Sequence, residues 1–144
     1  LGYNYRLDEM RSALGLVQLH KLSANNARRQ HITEKYWQSL AGLGFGLPFQ
    51  RMGSGWKPSY HIFPILLPAD VDRLRFIDSL RSAGIQTSIH YPPIHLFTYY
   101  QDIFPGLSLP ATEAAAAREV TLPLYPSMTD DQVSLVIQAV KAAL

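Results

Sequence analysis

Residues 7–19, LDEMRSALGLVQL, decide the fold class of this chain. Apolar residues recur in this stretch at spacings of three and four: Leu7, Met10, Leu14 and Val17. That spacing places them on one face of an amphipathic helix. The pattern resumes near Ile32 and stops at the glycines Gly42 and Gly44, which predicts one long helix over about residues 7–41. So long an element on a small domain predicts a surface that docks on something larger.

The first part of the chain beyond this helix predicts alternating short strands and helices. Residues 45–58, rich in Gly and Pro, indicate a loop with a short strand, and residues 60–67 (YHIFPILL) predict a strand whose Pro64 restricts it to an edge or a bulge. Asp70 is the expected N-cap of a helix that ends at Gly84. Four residues are expected on its buried face: Val71, Leu74, Ile77 and Leu80.

The rest of the chain continues in the same manner. Ile85 to Tyr91 alternate apolar and polar residues and predict a half-buried strand that Pro92-Pro93 ends. Residues 110–119 predict a helix, and residues 119–124 a short strand. Thr129 begins a capping box before a last helix with the stripe Val133, Val136, Ile137 and Val140. The predicted fold class is therefore α/β: a long N-terminal helix followed by a small two-layer α/β domain.

Composition excludes several classes of protein. The chain has 144 residues, 47% hydrophobic and 17% charged, which suits one domain with a real core. A net charge of +2 without a basic cluster argues against a nucleic-acid partner. The lack of cysteine excludes a disulfide scaffold and is compatible with a cytoplasmic enzyme. No apolar run has the length of a membrane span. The start at Leu1, without Met or a signal peptide, predicts a piece of a longer protein.

Two clusters carry groups that could take part in chemistry. Asn4 and Arg6, directly before the long helix, could bind an anion or phosphate together with free backbone N–H groups. The alternative is a glycine turn with Arg6 in a surface ion pair. His90, Tyr91 and His95 surround a Pro-Pro turn and could line a pocket for a polar ring-shaped ligand. The alternatives are a structural histidine or, last in rank, a metal site with His61, for which no carboxylate stands at ligand spacing.

At both clusters the sequence resembles the DegT/DnrJ/StrS family of sugar aminotransferases. The resemblance begins at residues 2–6 (GYNYR) and continues through residues 13–19 (ALGLVQL). It includes residues 84–95 (GIQTSIHYPPIH) and the closing residues 122–126 (LPLYP). These motifs occur in order along essentially the whole chain, so the series is specific.

The resemblance implies the C-terminal domain of a fold-type-I enzyme, residues 1–144 with a leading interface helix, in which the catalytic large domain is absent. Members use pyridoxal 5′-phosphate to move an amino group from an amino acid donor to a keto-sugar nucleotide or related cyclic ketone. The lysine that holds the cofactor would lie upstream of Leu1, so no catalytic residue is assigned here. Asn4 would bind the cofactor phosphate, typically across the interface of a homodimer. Five residues would contact substrate: Tyr5, Arg6, His90, Tyr91 and His95.

A different class of function stays open. Without its upstream part, the chain could be a non-catalytic α/β module for dimerisation or for binding a small ligand. A large domain with a cofactor lysine, encoded upstream, would separate the two.

Overall fold

A long N-terminal helix dominates the computed structural model, which describes residues 2–50, 53 and 55–144. Helix α1 runs from Glu9 to Leu40 and is about 48 Å long at the usual rise per residue. The Asp8 carboxylate caps it by accepting from the Arg11 N–H at 2.8 Å. Beyond the helix, Gly42 has φ +77°, a left-handed conformation that glycine adopts without strain. The predicted long helix is confirmed, and its bounds differ from the expected ones by one or two residues.

The remaining elements are short. They are β1 (Phe63–Leu66), α2 (Arg73–Ser82), a single 3-10 turn (Ile94–Leu96), α3 (Thr98–Ile103), α4 (Pro110–Arg118), β2 (Glu119–Leu122) and α5 (Asp130–Ala142). Thr129 and Gln132 form the predicted capping box at the start of α5. The predicted fold class, a long helix followed by a small α/β layer, is confirmed.

The sheet consists of β1 and β2, paired antiparallel with Phe63 opposite Leu122 and Leu66 opposite Glu119. Single bridges extend it on both sides: Gly46 pairs with Leu66, and Ser88 pairs with Thr121. The predicted strand at residues 60–67 is thus confirmed only over its central part, and the short strand predicted after residue 45 is a single bridge.

The strand predicted over Ile85 to Tyr91 is wrong beyond one bridge at Ser88. The His90 N–H donates to the Glu119 carboxylate at 2.7 Å and not to a strand carbonyl. Tyr91 then turns the chain into the left-handed region with φ +59°. A side-chain acceptor therefore ends the pairing before the Pro-Pro turn is reached.

The predicted N-cap of α2 is also wrong, because Asp72 and not Asp70 caps the helix. The Asp72 carboxylate accepts from the Arg75 N–H at 2.9 Å. The buried face carries Phe76 and Leu80, whereas Leu74 is 69% exposed. The ring of Phe76 packs edge-on against Phe45 with centroids 6.3 Å apart, and burying so large a ring outweighs burying Leu74.

One hydrophobic core joins the second half of α1 to the sheet, α2 and α5. Its fully buried residues include Ile32, Tyr36, Leu40, Ile65, Leu80, Val120, Val133 and Val140. Burial, and then the nearby Tyr125, raise the pKa of Tyr36, whose hydroxyl donates to the Pro123 carbonyl at 2.9 Å. Arg28 and Lys35 on α1 both contact the Asp130 carboxylate at the start of α5. The second half of α1 is thus fixed to the small layer by apolar and charged contacts.

The first half of α1 has no such cover. The stripe that predicted the helix is exposed over its whole length: Leu7, Met10, Leu14 and Val17. Leu16 and Leu19, on other sides of the same helix, are also more than half exposed. An exposed apolar surface of this extent is typical of a face that is covered in a larger assembly. In the described residues, no helix is both long and apolar enough to cross a bilayer.

Candidate functional site

A cleft of about 920 Å³ lies between the His90 segment and α4. Its wall is mainly apolar and also carries a few polar side chains. The residues that line it include His90, Tyr91, Pro92, Ile94, His95, Tyr100, Phe104, Leu109, Ala115 and Glu119. An apolar cleft with a few convergent polar groups is the usual form of a small-molecule site. Three of the predicted substrate residues, His90, Tyr91 and His95, are brought together on this cleft.

His90 is held by β2 through two hydrogen-bonded contacts. Its backbone N–H donates to the Glu119 carboxylate, and its ring Nδ1 lies 2.7 Å from the Thr121 hydroxyl oxygen. The Thr121 hydroxyl in turn donates to Glu119. His90 also lines a second, smaller cleft of about 610 Å³ on the side of α5. The imidazole therefore stands at the boundary of two clefts in a fixed orientation.

Tyr91 is presented by a strained backbone. Its φ of +59° is uncommon for a residue with a bulky side chain and costs conformational free energy. The side chain is 77% exposed, and its ring packs edge-on beside His90 with centroids 6.0 Å apart. Strained residues of this kind concentrate where ligands bind, which agrees with the position of Tyr91 on the cleft.

His95 differs from its two neighbours because it is buried. Its Nε2 lies 2.9 Å from the Glu113 carboxylate, which also accepts from the Leu109 N–H at 2.7 Å. The hydrogen bond from His95, and then the one from Leu109, hold the pKa of Glu113 below its usual range. This contact fastens the 3-10 turn to α4 and shapes the cleft wall. The predicted substrate contact of His95 stays a prediction.

Residues 2–6, the segment predicted to bind the cofactor phosphate, form what we call the cofactor corner. Asn4, Tyr5 and Arg6 are exposed, and none of them lines either of the two clefts described above. The ring of Tyr5 packs edge-on against Tyr3 at 6.1 Å. Asp8 occupies the Arg11 N–H, so the helix start has one donor fewer for an anion than the sequence suggested. The side chains of Asn4 and Arg6 can supply further donors.

His61, the suggested metal partner of His90, lines the smaller cleft together with it. Within residues 2–50, 53 and 55–144, no group of three His, Asp or Glu side chains is arranged to hold a metal ion.

Two residues of the site were missed from the sequence, Glu119 and Thr121. Side chains two apart in a strand point to the same face, so the predicted strand at 119–124 already placed them side by side. What the sequence could not show is that residue 88 pairs with residue 121 and thereby brings His90 next to both.

Known proteins resemble this chain over nearly its whole length. The uncharacterized protein MJ1066 of Methanocaldococcus jannaschii is 34% identical over 145 aligned residues, which cover 97% of this chain and 37% of that protein. The structure of DesV of S. venezuelae shares 35% identity with a TM-score of 0.85, over 99% of this chain and 38% of that chain. PseC of Helicobacter pylori, an aminotransferase involved in the biosynthesis of pseudoaminic acid, shares 27% identity with a TM-score of 0.88, over 99% of this chain and 39% of that one.

The chain therefore spans a little over a third of the length of these relatives. The profile of one family matches residues 1–141. The matched region includes both the corner at residues 2–6 and the cleft around His90. The chain belongs to the DegT/DnrJ/EryC1/StrS aminotransferase family.

Proposed function

We propose that this chain is the C-terminal part of a pyridoxal-phosphate-dependent aminotransferase that aminates a keto-sugar nucleotide or a related cyclic ketone. The observation that carries the proposal is the cleft around His90. The segment that by family resemblance faces the substrate forms one wall of a mainly apolar cleft that is large enough for a sugar and carries a few polar side chains. The amino group would come from an amino acid donor.

The cofactor phosphate is assigned to Asn4, with Arg6 and Tyr5 as support. An amide and a guanidinium are suitable donors to a phosphate, and both side chains are exposed on the segment before α1. Neither side chain has a hydrogen-bond partner among the described residues, so both are free to bind an anion. The donor set therefore fits the cofactor phosphate.

The residues of this chain would bind and orient, while the cofactor, when bound, supplies the electron sink for the transfer. Asn4 would hold the phosphate in place. His90 and Tyr91 would bind the sugar in the cleft. The apolar wall, which includes Phe104, Leu109 and Ala115, would exclude water from it.

The same proposal includes a homodimer in a cytoplasmic enzyme. The exposed residues of the corner line neither of the two clefts, which suits a site completed by a second subunit. The exposed first half of α1 offers an apolar surface next to that corner.

The assignment of Asn4 is tested in the full-length protein by Asn4→Ala. Losing one hydrogen bond to a charged phosphate should cost about 1.5–3 kcal/mol of cofactor binding. The measurement is a titration of the apoprotein with pyridoxal phosphate, followed by absorbance. Asn25→Ala, farther along α1, is the matched control and should bind as the parent does. Equal affinity of the parent and Asn4→Ala would remove Asn4 from the site.

The activity itself is tested by mixing protein, pyridoxal phosphate, glutamate and a keto-sugar nucleotide, and measuring the amino sugar formed. The full-length protein should turn over, whereas residues 1–144 alone should not, because in the proposed enzyme the lysine that holds the cofactor would belong to a large domain outside residues 1–144. Turnover by residues 1–144 alone would contradict the assignment, and a full-length protein inactive with every amino donor would favour the non-catalytic module.

A further inference from the structure

The hydrogen bonds around His90 have a direction that the side-chain chemistry fixes. Glu119 and Thr121 lie on the same face of β2, and Thr121 is only 7% exposed. The Glu119 carboxylate accepts both from the His90 backbone N–H and from the Thr121 hydroxyl. The Thr121 oxygen then lies 2.7 Å from Nδ1 of the His90 ring.

The single proton of the Thr121 hydroxyl cannot serve two neighbours. A carboxylate only accepts, so the proton must point to Glu119. The Thr121 oxygen then presents a lone pair to His90, and Nδ1 must carry a proton to donate to it. The reverse arrangement would place a lone pair of Thr121 against a carboxylate oxygen at close range. In the neutral ring, Nε2 is therefore the unprotonated nitrogen.

We propose that Glu119 and Thr121 are positioning residues that hold the proton of His90 on Nδ1, so that Nε2 accepts a hydrogen bond from a hydroxyl of the sugar. Among the described residues, Nε2 has no hydrogen-bond partner, and the His90 side chain is 38% exposed at the edge of both clefts. The hydrogen bonds that connect Glu119 through Thr121 to the His90 ring, which we call the relay, follow from the geometry and need no assumption about activity. The identity of the ligand as a sugar rests on the proposed function.

This arrangement selects the chemistry of the ligand. An unprotonated Nε2 binds a donor such as a hydroxyl and repels a second acceptor such as a ketone oxygen. His90 would therefore distinguish the hydroxyl groups of the sugar from its ketone and orient the ring. A site built around such a hydrogen bond discriminates strongly, because a mismatched polar pair in the cleft stays unsatisfied.

A single isosteric substitution, Glu119→Gln, can reverse the relay. The amide oxygen can still accept from the His90 backbone N–H, while the amide nitrogen now donates to the Thr121 oxygen. The Thr121 hydroxyl must then donate to Nδ1, and the ring proton moves to Nε2. Every hydrogen bond is kept, so the fold should be preserved while the acceptor at Nε2 is lost.

The relay is tested by ¹⁵N NMR of the histidine rings in the selectively labelled full-length protein at about pH 8.5, where neutral imidazole predominates. The His90 signals are assigned by their loss in His90→Gln. The parent should show a protonated Nδ1 and a pyridine-type Nε2, and Glu119→Gln should show the opposite. A protonated Nε2 in the parent, or no change in Glu119→Gln, would overturn the relay.

The consequence for the ligand is tested by kinetics with a keto-sugar nucleotide. Glu119→Gln should lower kcat/KM for the sugar at least about tenfold, by analogy with other residues that set a histidine tautomer. The half-reaction with the amino donor should be unaffected. Thr121→Val should lower kcat/KM for the sugar, and Thr121→Ser, which keeps a hydroxyl at this position, should have a value close to that of the parent.

Thr33→Val is the matched control, since it also removes a buried threonine hydroxyl but lies in α1 away from both clefts. It should leave both half-reactions unchanged. Tautomer reversal with an unchanged kcat/KM for the sugar would overturn the ligand part of the proposal. If the parent turns over no keto-sugar, the proposed function fails, while the NMR experiment still decides the relay.

Discussion

The two halves of α1 have similar apolar spacing and opposite environments. In the second half, Ile32, Tyr36 and Leu40 are completely or almost completely buried against the sheet and α5. In the first half, Met10 is 83% exposed and Leu14 is 61% exposed. Periodicity predicts that a helix forms but not what covers it. The cover depends on which other parts of the protein reach that face.

The largest effect expected from this contrast is on folding stability. Ile32→Ala should lower the free energy of unfolding by about 2–5 kcal/mol, because it leaves a cavity in the packed core. Leu16→Ala, an apolar truncation at an exposed position of the same helix, should change it by less than about 0.5 kcal/mol. Urea unfolding at low protein concentration measures both. Equal losses would show that the first half is also packed within the chain.

The next effect is on association and not on folding. In residues 1–144, the exposed stripe should cause self-association, since large apolar patches are uncommon on soluble monomers. Leu14→Glu should abolish it by placing a charge in the contact. Light scattering over a concentration series follows the change.

Ser12→Glu is the matched control, because Ser12 lies on the side of the helix opposite the stripe. It should associate nearly as the parent does. A strictly monomeric parent whose first helix is protected from hydrogen exchange would show that this surface is misplaced.

Local signals in the sequence were sufficient for most of the helices. The Gly42 stop and the Thr129 capping box act within a few residues, and each marks an observed helix end. At the start of α2 the sequence predicted Asp70 as the cap, whereas Asp72 caps the helix. Burial of Phe76 against Phe45 is a long-range packing term, which sequence spacing does not contain.

Three residues that line the candidate cleft could be named from the sequence, but their connections could not. His90, Tyr91 and His95 were chosen for their chemistry, and the structure places all three on one cleft. The partners that distinguish them, Glu119 for His90 and Glu113 for His95, are 29 and 18 residues away in sequence. Only the pairing of Ser88 with Thr121 and the docking of α4 bring these groups together.

A smaller effect is expected where the buried half of α1 carries a polar group. The Thr33 hydroxyl is buried and has no hydrogen-bond partner among the described residues. Thr33→Val keeps the shape and removes this unsatisfied group, so stability should stay equal or rise by up to about 1 kcal/mol. Urea unfolding beside Thr112→Val, an exposed threonine on α4, separates this gain from a general effect of valine. A clear loss would mean that the hydroxyl has a partner in solution.

The smallest effect expected concerns the charged contact that ties the second half of α1 to α5. Hydrogen bonds from Arg28 and then Lys35 hold the pKa of Asp130 below its ordinary value of 3.8. The folded state therefore favours the ionised carboxylate, so its contribution is present above that ordinary value and is lost as the pH falls through the lowered pKa. Because this side chain is 60% exposed, solvent screening keeps the contribution small.

Asp130→Asn should reduce the urea midpoint slightly at about pH 6, and the difference from the parent should shrink at about pH 2.5. Asp131→Asn, in the same first turn but without an ion pair among the described residues, should lack this pH dependence, and the same dependence in both variants would refute the role of Arg28 and Lys35.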